Sequence, residues 1–312
     1  MLQEKINHVL SQAKQIVFGQ DELLESIIAA LVCEGHLLIE GLPGLGKTLS
    51  VSVMSKLCHL KFQRIQFTPD LLPSDLIGTM IFNQQKQEFS TKFGPIFTQI
   101  VLADEINRSP AKVQAALLEA MAEKQVTIGE KTHRLPSPFV VLATQNPIEQ
   151  EGTYNLPEAQ LDRFMMKISV DYPDFEAEKS VLNLKTSHHQ LEPVLNENDL
   201  LELKNSVDSI YVDEKIKDII VRIVQATRPG SKYFLKKYDG AIIAGASPRA
   251  SIWLYKISKF KAFMDGKNYV TPENILSIVP SVLGHRVIPS YEAQIDKINT
   301  RNLVSTIATN VI

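Results

Sequence analysis

Short apolar runs punctuated by glycine-rich and polar stretches mark the first half of the chain. HLLIE (36–40) is an apolar run that ends at glycine and reads as a buried strand. KFQRIQF (61–67), QIVLADE (99–105), the run from Phe139 to Ala143 and FMMKISV (164–170) predict four more strands. Helical spacing lies between them. Residues 1–34 read as two helices broken at IVFGQ, with Gly19 ending the first and Asp21 capping the second. A helix is expected from Lys47 to about Cys58. Another has Ser109 as its cap, Pro110 as its first residue, and Val113, Leu117, Ala120 and Met121 along its apolar face. Val126 to Leu135 predicts a hairpin. Residues 68–100, rich in Pro, Gly, Thr and Asn, look like an insertion into this alternation. Alternating short strands and helices predict an α/β core, a mostly parallel sheet with helices on both faces.

The pattern changes at DYPDFEAEKS. After Pro173 almost no strand signal remains, and helices are expected at about 175–187, 197–207, 213–227, 248–264 and 272–282. The expected organisation is an α/β domain over 1–172 and an all-helical domain over 173–312. Composition is compatible with this and narrows the function. The 312 residues are 44% hydrophobic and 22% charged, with a net charge of −2, which argues against a predominantly basic nucleic-acid binder. Cys33 and Cys58 are far apart and not in metal-binding spacing, so they read as reduced thiols of a cytoplasmic protein. IIAALVC is too short to span a bilayer, and the polar, amphipathic opening is no secretory peptide, so no membrane insertion is expected.

The chemistry is concentrated at IEGLPGLGKTLS (39–50). Gly41, Gly44, Gly46, Lys47 and Thr48 match G-x-x-x-x-G-K-[ST], between a predicted strand and a predicted helix as a phosphate loop requires. Glycines let backbone N–H groups turn toward phosphate oxygens, and Lys47 adds a charge for the β and γ phosphates. The Thr48 hydroxyl is a ligand for Mg²⁺, and the helix start is electropositive. Gly44, Leu45, Gly46, Lys47, Thr48 and Leu49 are the expected nucleotide-binding segment. In IVLADEINR (100–108), four apolar residues deliver Asp104 and Glu105 to the carboxyl end of a buried strand, where ligands sit in such sheets. Asp104 is expected to hold Mg²⁺ through its water shell, and Glu105 to orient and deprotonate the attacking water. A glutamate directly after the metal aspartate points to water as acceptor, hence to a nucleotide hydrolase.

With these motifs the sequence resembles the AAA+ ATPases, and within them the MoxR family, over roughly residues 15–285. IVFGQDEL, GLPGLGKT, LADEINR, LATQNP, LPEAQLDRF and GASPRA occur in the family's order. The resemblance implies that Val17, Phe18 and Gly19 line the adenine and that residues 68–97 form the clade's helix-two insert. It also implies that the 126–135 hairpin is the pre-sensor hairpin and the C-terminal helices a lid. Asn146 looks like sensor 1, bridging water and γ-phosphate, although Asn-Pro is also a common turn dipeptide. Arg163 looks like a finger supplied to the neighbouring subunit, and Arg249 like sensor 2, in cis or in trans. Arg108 is a third arginine able to reach across an interface.

A finger supplied in trans implies a homo-oligomeric ring, a hexamer by family likeness. MoxR-like ATPases are associated with chaperone-like maturation of protein complexes, often with von Willebrand factor A domain proteins. The metal motif of that domain, D-x-S-x-S, does not occur here, so such a partner would be a separate chain. Phe82, Phe89, Lys131 and His133 are expected to be exposed toward a pore or client. Competing readings are a magnesium-chelatase-type subunit, a nucleic-acid motor (disfavoured by the near-neutral charge) and a nucleotide-gated switch with little turnover. The last is disfavoured by the simultaneous presence of Lys47, Asp104, Glu105, Asn146 and Arg163.

Overall fold

The structure, a computed structural model, describes residues 2–85, 87–148, 152–182 and 191–312. Helices α1 (Leu2–Lys14) and α2 (Asp21–Cys33) precede β1 (Leu37–Gly41), and α3 (Lys47–Leu57) leads to β2 (Phe62–Gln66). The insert is α4 (Pro73–Ile77) with a ribbon of β3 (Gly78–Asn83) and β4 (Glu88–Phe93). Then come β5 (Ile100–Asp104), α5 (Ala111–Glu123), the hairpin β6 (Gln125–Ile128) and β7 (Lys131–Arg134), β8 (Val140–Gln145), α6 (Glu158–Leu161) and β9 (Met166–Val170). Five strands form one parallel sheet in the order β2-β5-β8-β1-β9. The interior strand β5 is buried at every position, and β8 at all but its last, which is why both read as continuous apolar runs. β2 lies at the edge and carries Gln63, Arg64 and Gln66 exposed.

Alternation along the strands separates two cores. Leu37, Ile39, Leu102 and Leu142 face α1 to α3, whereas Leu38, Val101, Ala103 and Val141 face α5 with Phe139 and Phe164. The first core runs without a break into the C-terminal half through Leu203, Ile223, Leu254, Ile278 and Val304. That half comprises α7 (Phe175–Leu182), α8 (Glu197–Asp208), α9 (Glu214–Ala226), β10 (Ile242–Ala244), α10 (Pro248–Met264), α11 (Pro272–Leu283), β11 (Ile288–Pro289), α12 (Tyr291–Ile295) and α13 (Thr300–Val311). It is helical, and α8 and α10 lie directly on α2. Among the described residues no helix is long and apolar enough to cross a membrane.

Several local expectations change. Asp21 is the first helical residue, not the cap; Gln20 occupies the cap position, and Asp21 instead accepts from Lys14 at 2.9 Å. Pro110, not Ser109, precedes α5, because the Ser109 hydroxyl turns back to donate to Ile106 O (3.2 Å). The helix expected over 175–187 is present as Phe175–Leu182, and 183–187 lies outside the described residues. The small antiparallel ribbon β10–β11 and the helices α12 and α13 were not anticipated. His133 is not an exposed tip: its ring packs edge-on against Phe93 (centroids 4.9 Å apart) and near Phe97, joining the two hairpins. Phe82 and Phe89 are exposed, as expected, and pair across the ribbon at 5.2 Å.

Candidate active site

The loop after β1 reaches α3 through two glycines in the left-handed region, Gly44 at φ 84° and Gly46 at φ 77°. A Cβ at either would meet no atom within 4 Å, so both lie against open space of the kind a phosphate chain fills. Gly46 directly precedes α3, whose free N–H groups face the same way. Lys47 Nζ folds back to donate to Gly41 O. Burial lowers the Lys47 pKa, and the charges of Asp104 and Glu105 oppose that shift, which places both acids within electrostatic reach of the ammonium. Glycines, ammonium, the Thr48 hydroxyl and the Asp104 carboxylate thus form a donor set that fits a Mg²⁺-bound nucleoside triphosphate.

The acids are held by side chains the sequence reading did not single out. Thr144, on β8, donates from its hydroxyl to Asp104 Oδ1 (2.6 Å) and accepts from the Glu105 backbone N–H (2.9 Å). Arg64 reaches across from β2 with Nε (2.9 Å) and Nη2 (2.6 Å) both on Asp104 Oδ2. The register explains this: Arg64 pairs with Leu102 and Gln66 with Asp104, so alternate residues of both strands share one face. Gln66 Nε2 donates to Glu105 Oε2 (2.8 Å), and Arg108 Nε lies 3.0 Å from the same oxygen. Glu105 itself has φ 57°, a left-handed backbone that swings its side chain away from the strand direction. The polar alternation of Arg64 and Gln66 was visible in the sequence, but their neighbours needed the register.

Beside the loop is an apolar cavity of about 410 Å³ lined by Val17, Phe18, Leu45, Leu49, Tyr172 and Val181, with Gly44 and Gly46 at its wall. This size and lining suit a base and ribose. Gly19 is not part of that lining: its Cβ direction faces Pro173 and Ala177, so it shapes the turn rather than touching a base. Asn146 is buried at the end of β8 and lines a polar cavity of about 540 Å³ with Glu40, Asn107 and Gln145. Its Oδ1 accepts from the Ile148 N–H at 3.2 Å, which shows the turn role.

The two remaining arginines are elsewhere. Arg163 and Arg249 line one cavity of about 320 Å³ together with Lys124, Lys256, Trp253 and Glu34. No phosphate-loop residue lines it. The structure therefore brings Lys47, Asp104 and Glu105 together, and Arg163 and Arg249 together, as two separate groups.

Comparison with known proteins agrees with this fold. Residues 36–166 match the model of the ATPase family associated with various cellular activities (AAA), and residues 239–307 match an AAA lid domain. Chaperone MoxR1 of Mycobacterium tuberculosis is 42% identical over 98% of this chain and 81% of its own length. Protein MoxR of Methylorubrum extorquens is 28% identical over 90% of this chain and 87% of its own. The crystal structure of a candidate ATPase from Cytophaga hutchinsonii superposes with a TM-score of 0.92 at 48% identity, covering 99% of this chain and 94% of that one. A parallel AAA core, a helical lid and likeness to MoxR proteins over nearly the whole of this chain converge on one assignment: the chain belongs to the MoxR family of AAA ATPases.

Proposed function

We propose that this chain is a Mg²⁺-dependent ATP hydrolase whose active site is completed by a neighbouring subunit in a ring, and that turnover drives chaperone-like remodelling of protein complexes. The observation that carries the shared site is the separation of Arg163 and Arg249 from the phosphate loop into one basic cavity. An arginine acting in cis has to reach the γ-phosphate of its own loop. Two arginines grouped in a cavity that no phosphate-loop residue lines would instead meet the phosphate of the next subunit. On this reading Arg249 acts in trans with Arg163.

Each residue then has one task. The Gly44 and Gly46 amides and Lys47 hold the phosphates, while Val17, Phe18, Leu45 and Leu49 hold the base. Thr48 and Asp104 would hold Mg²⁺, which would supply neutralisation of phosphate charge. Glu105 accepts a proton from the attacking water, and the Asn146 amide nitrogen orients that water. Arg163 and Arg249 of the adjacent subunit stabilise the charge that spreads over the transferred phosphoryl group. The remodelling task is supported by likeness to a protein named as a chaperone and by the exposed aromatic ribbon of Phe82 and Phe89. A separate von Willebrand factor A domain protein is the partner this reading expects.

ATPase rate per subunit, measured against protein concentration, tests the shared site. It should climb as rings assemble, and Arg163→Ala should lower the plateau by about a thousandfold, in the range of other arginine fingers, while ATP still binds. A flat rate that survives the substitution would overturn it.

A further inference from the structure

Arg286 follows α11 and carries no recognisable motif, yet it is the most fully engaged arginine among the described residues. Its side chain is 1% exposed. All five guanidinium N–H groups have acceptors. Nε donates to Asp162 Oδ1 (3.0 Å), Nη1 to Met165 O (3.2 Å) and Val282 O, and Nη2 to Asp162 O (3.0 Å) and Phe164 O. Four of those acceptors belong to residues 162, 164 and 165, on both sides of Arg163. The fifth is in the last turn of α11. The guanidinium therefore wraps the segment that presents Arg163 and ties it to the lid.

The carboxylate of Asp162 extends the connection. Both its oxygens accept from the Ser247 hydroxyl (2.8 and 2.9 Å), and Oδ2 also accepts from Arg249 Nη1 (3.3 Å). Ser247 caps α10, and Arg249 lies in the first turn of that helix. One carboxylate thus touches the lid arginine directly, the start of its helix, and the buried Arg286, while its own backbone adjoins Arg163. Burial lowers the Arg286 pKa to about 10, and the charge of Asp162 opposes that shift, so the cation persists at neutral pH inside the joint.

We infer that Arg286 and Asp162 are positioning residues that set Arg163 and Arg249 as a single rigid pair, so that the placement of the lid on the core fixes the half-site offered to the neighbouring subunit. The inference rests on the trans reading above. It differs from simple lid attachment in what it spares. A lost attachment would damage the whole subunit, whereas a lost positioning joint leaves the subunit's own phosphate loop, Asp104 and Glu105 able to work with a neighbour's intact arginines.

Subunit mixing separates these. Arg286→Lys keeps the charge but cannot form the fork, and Asp162→Asn keeps the shape but weakens the charge pairing. Each alone should lower ATPase turnover at least about tenfold through kcat, with KM and ATP affinity nearly unchanged, as expected for an interaction used only in the transition state. Mixed in equal amounts with Lys47→Ala subunits, which lack a working phosphate loop but keep both arginines, each should recover up to about one quarter of wild-type activity. That is the share of head-to-tail interfaces pairing an intact loop with an intact donor face. Arg163→Ala mixed with Lys47→Ala is the reference and should recover likewise. Recovery in the reference without recovery for both Arg286→Lys and Asp162→Asn would overturn the positioning role. No recovery in the reference, with mixed rings verified by mass, would overturn the trans reading and the inference with it.

Discussion

Arg64 places two donors on Asp104 Oδ2, the carboxylate oxygen that Thr144 does not engage. Its side chain is 50% exposed, so the pair is screened and worth little by itself. On the proposed reading it would compete with Mg²⁺ for the Asp104 carboxylate. Arg64→Ala should therefore tighten the apparent divalent-ion affinity severalfold, read by electron paramagnetic resonance titration of Mn²⁺ with a non-hydrolysable ATP analogue; unchanged affinity would make the contact incidental. His36 gives a different residue-scale prediction. It is buried where β1 and β8 begin, accepts at Nδ1 from the Val141 N–H (3.0 Å), and so carries its proton on Nε2, toward Met121 O (3.2 Å). Burial pushes its pKa down to about 4. The folded chain keeps it neutral while the unfolded chain takes up a proton below its usual value of about 6.5. Its stabilising contribution is complete above that value and is lost as pH falls through about 4, by about 3 kcal/mol in all. Urea unfolding of wild type and His36→Gln across that window should show the shallower pH slope in the variant.

At the scale of elements, the helix and the ribbon of the insert are held together by a tight backbone approach. A Cβ on Gly94 would lie 2.1 Å from Leu76 O and 2.7 Å from Gly78 N, so no side chain fits without moving α4 away from the ribbon. Gly94→Ala should cost about 1–3 kcal/mol of local stability, as overpacking does. Hydrogen exchange in β3 and β4 should quicken while nucleotide affinity stays within twofold; unchanged exchange would show that the joint is not the ribbon's anchor. What could be read from the sequence follows the same divide between local and distant causes. β5 and β8 were legible because burial on both faces makes a parallel strand an unbroken apolar run, and that run delivers Asp104 and Glu105. The ribbon β10–β11 was not, because it pairs two very short segments more than forty residues apart in the chain, 242–244 and 288–289. Ser109 resembled a helix cap only until its hydroxyl turned back to Ile106. Arg64 on Asp104 and Arg286 around Arg163 depend on strand register and lid docking, which no local pattern encodes.

At the scale of the whole molecule, the two cavities make the lone tryptophan informative. Trp253 lines the cavity of Arg163 and Arg249, and none of the residues lining the apolar cavity beside the phosphate loop is shared with it. Lys256 Nζ sits 5.2 Å from the centre of the Trp253 ring, a contact that any nearby phosphate would compete for. In an isolated subunit, nucleotide on the phosphate loop is therefore expected to stay outside the cavity that holds the indole. In a ring built as proposed, the triphosphate of the adjacent subunit enters the cavity where the indole lies. The emission of Trp253 should accordingly be silent to a non-hydrolysable ATP analogue at protein concentrations too low for assembly, and respond in both intensity and wavelength once rings form. Lys47→Ala rings, unable to hold the phosphates, should stay silent even when assembled. A response in dilute monomer would mean that the lid senses its own subunit's nucleotide. The arginines of the second cavity would then have to act on their own phosphate loop through a lid movement, and the case for a shared site would be lost.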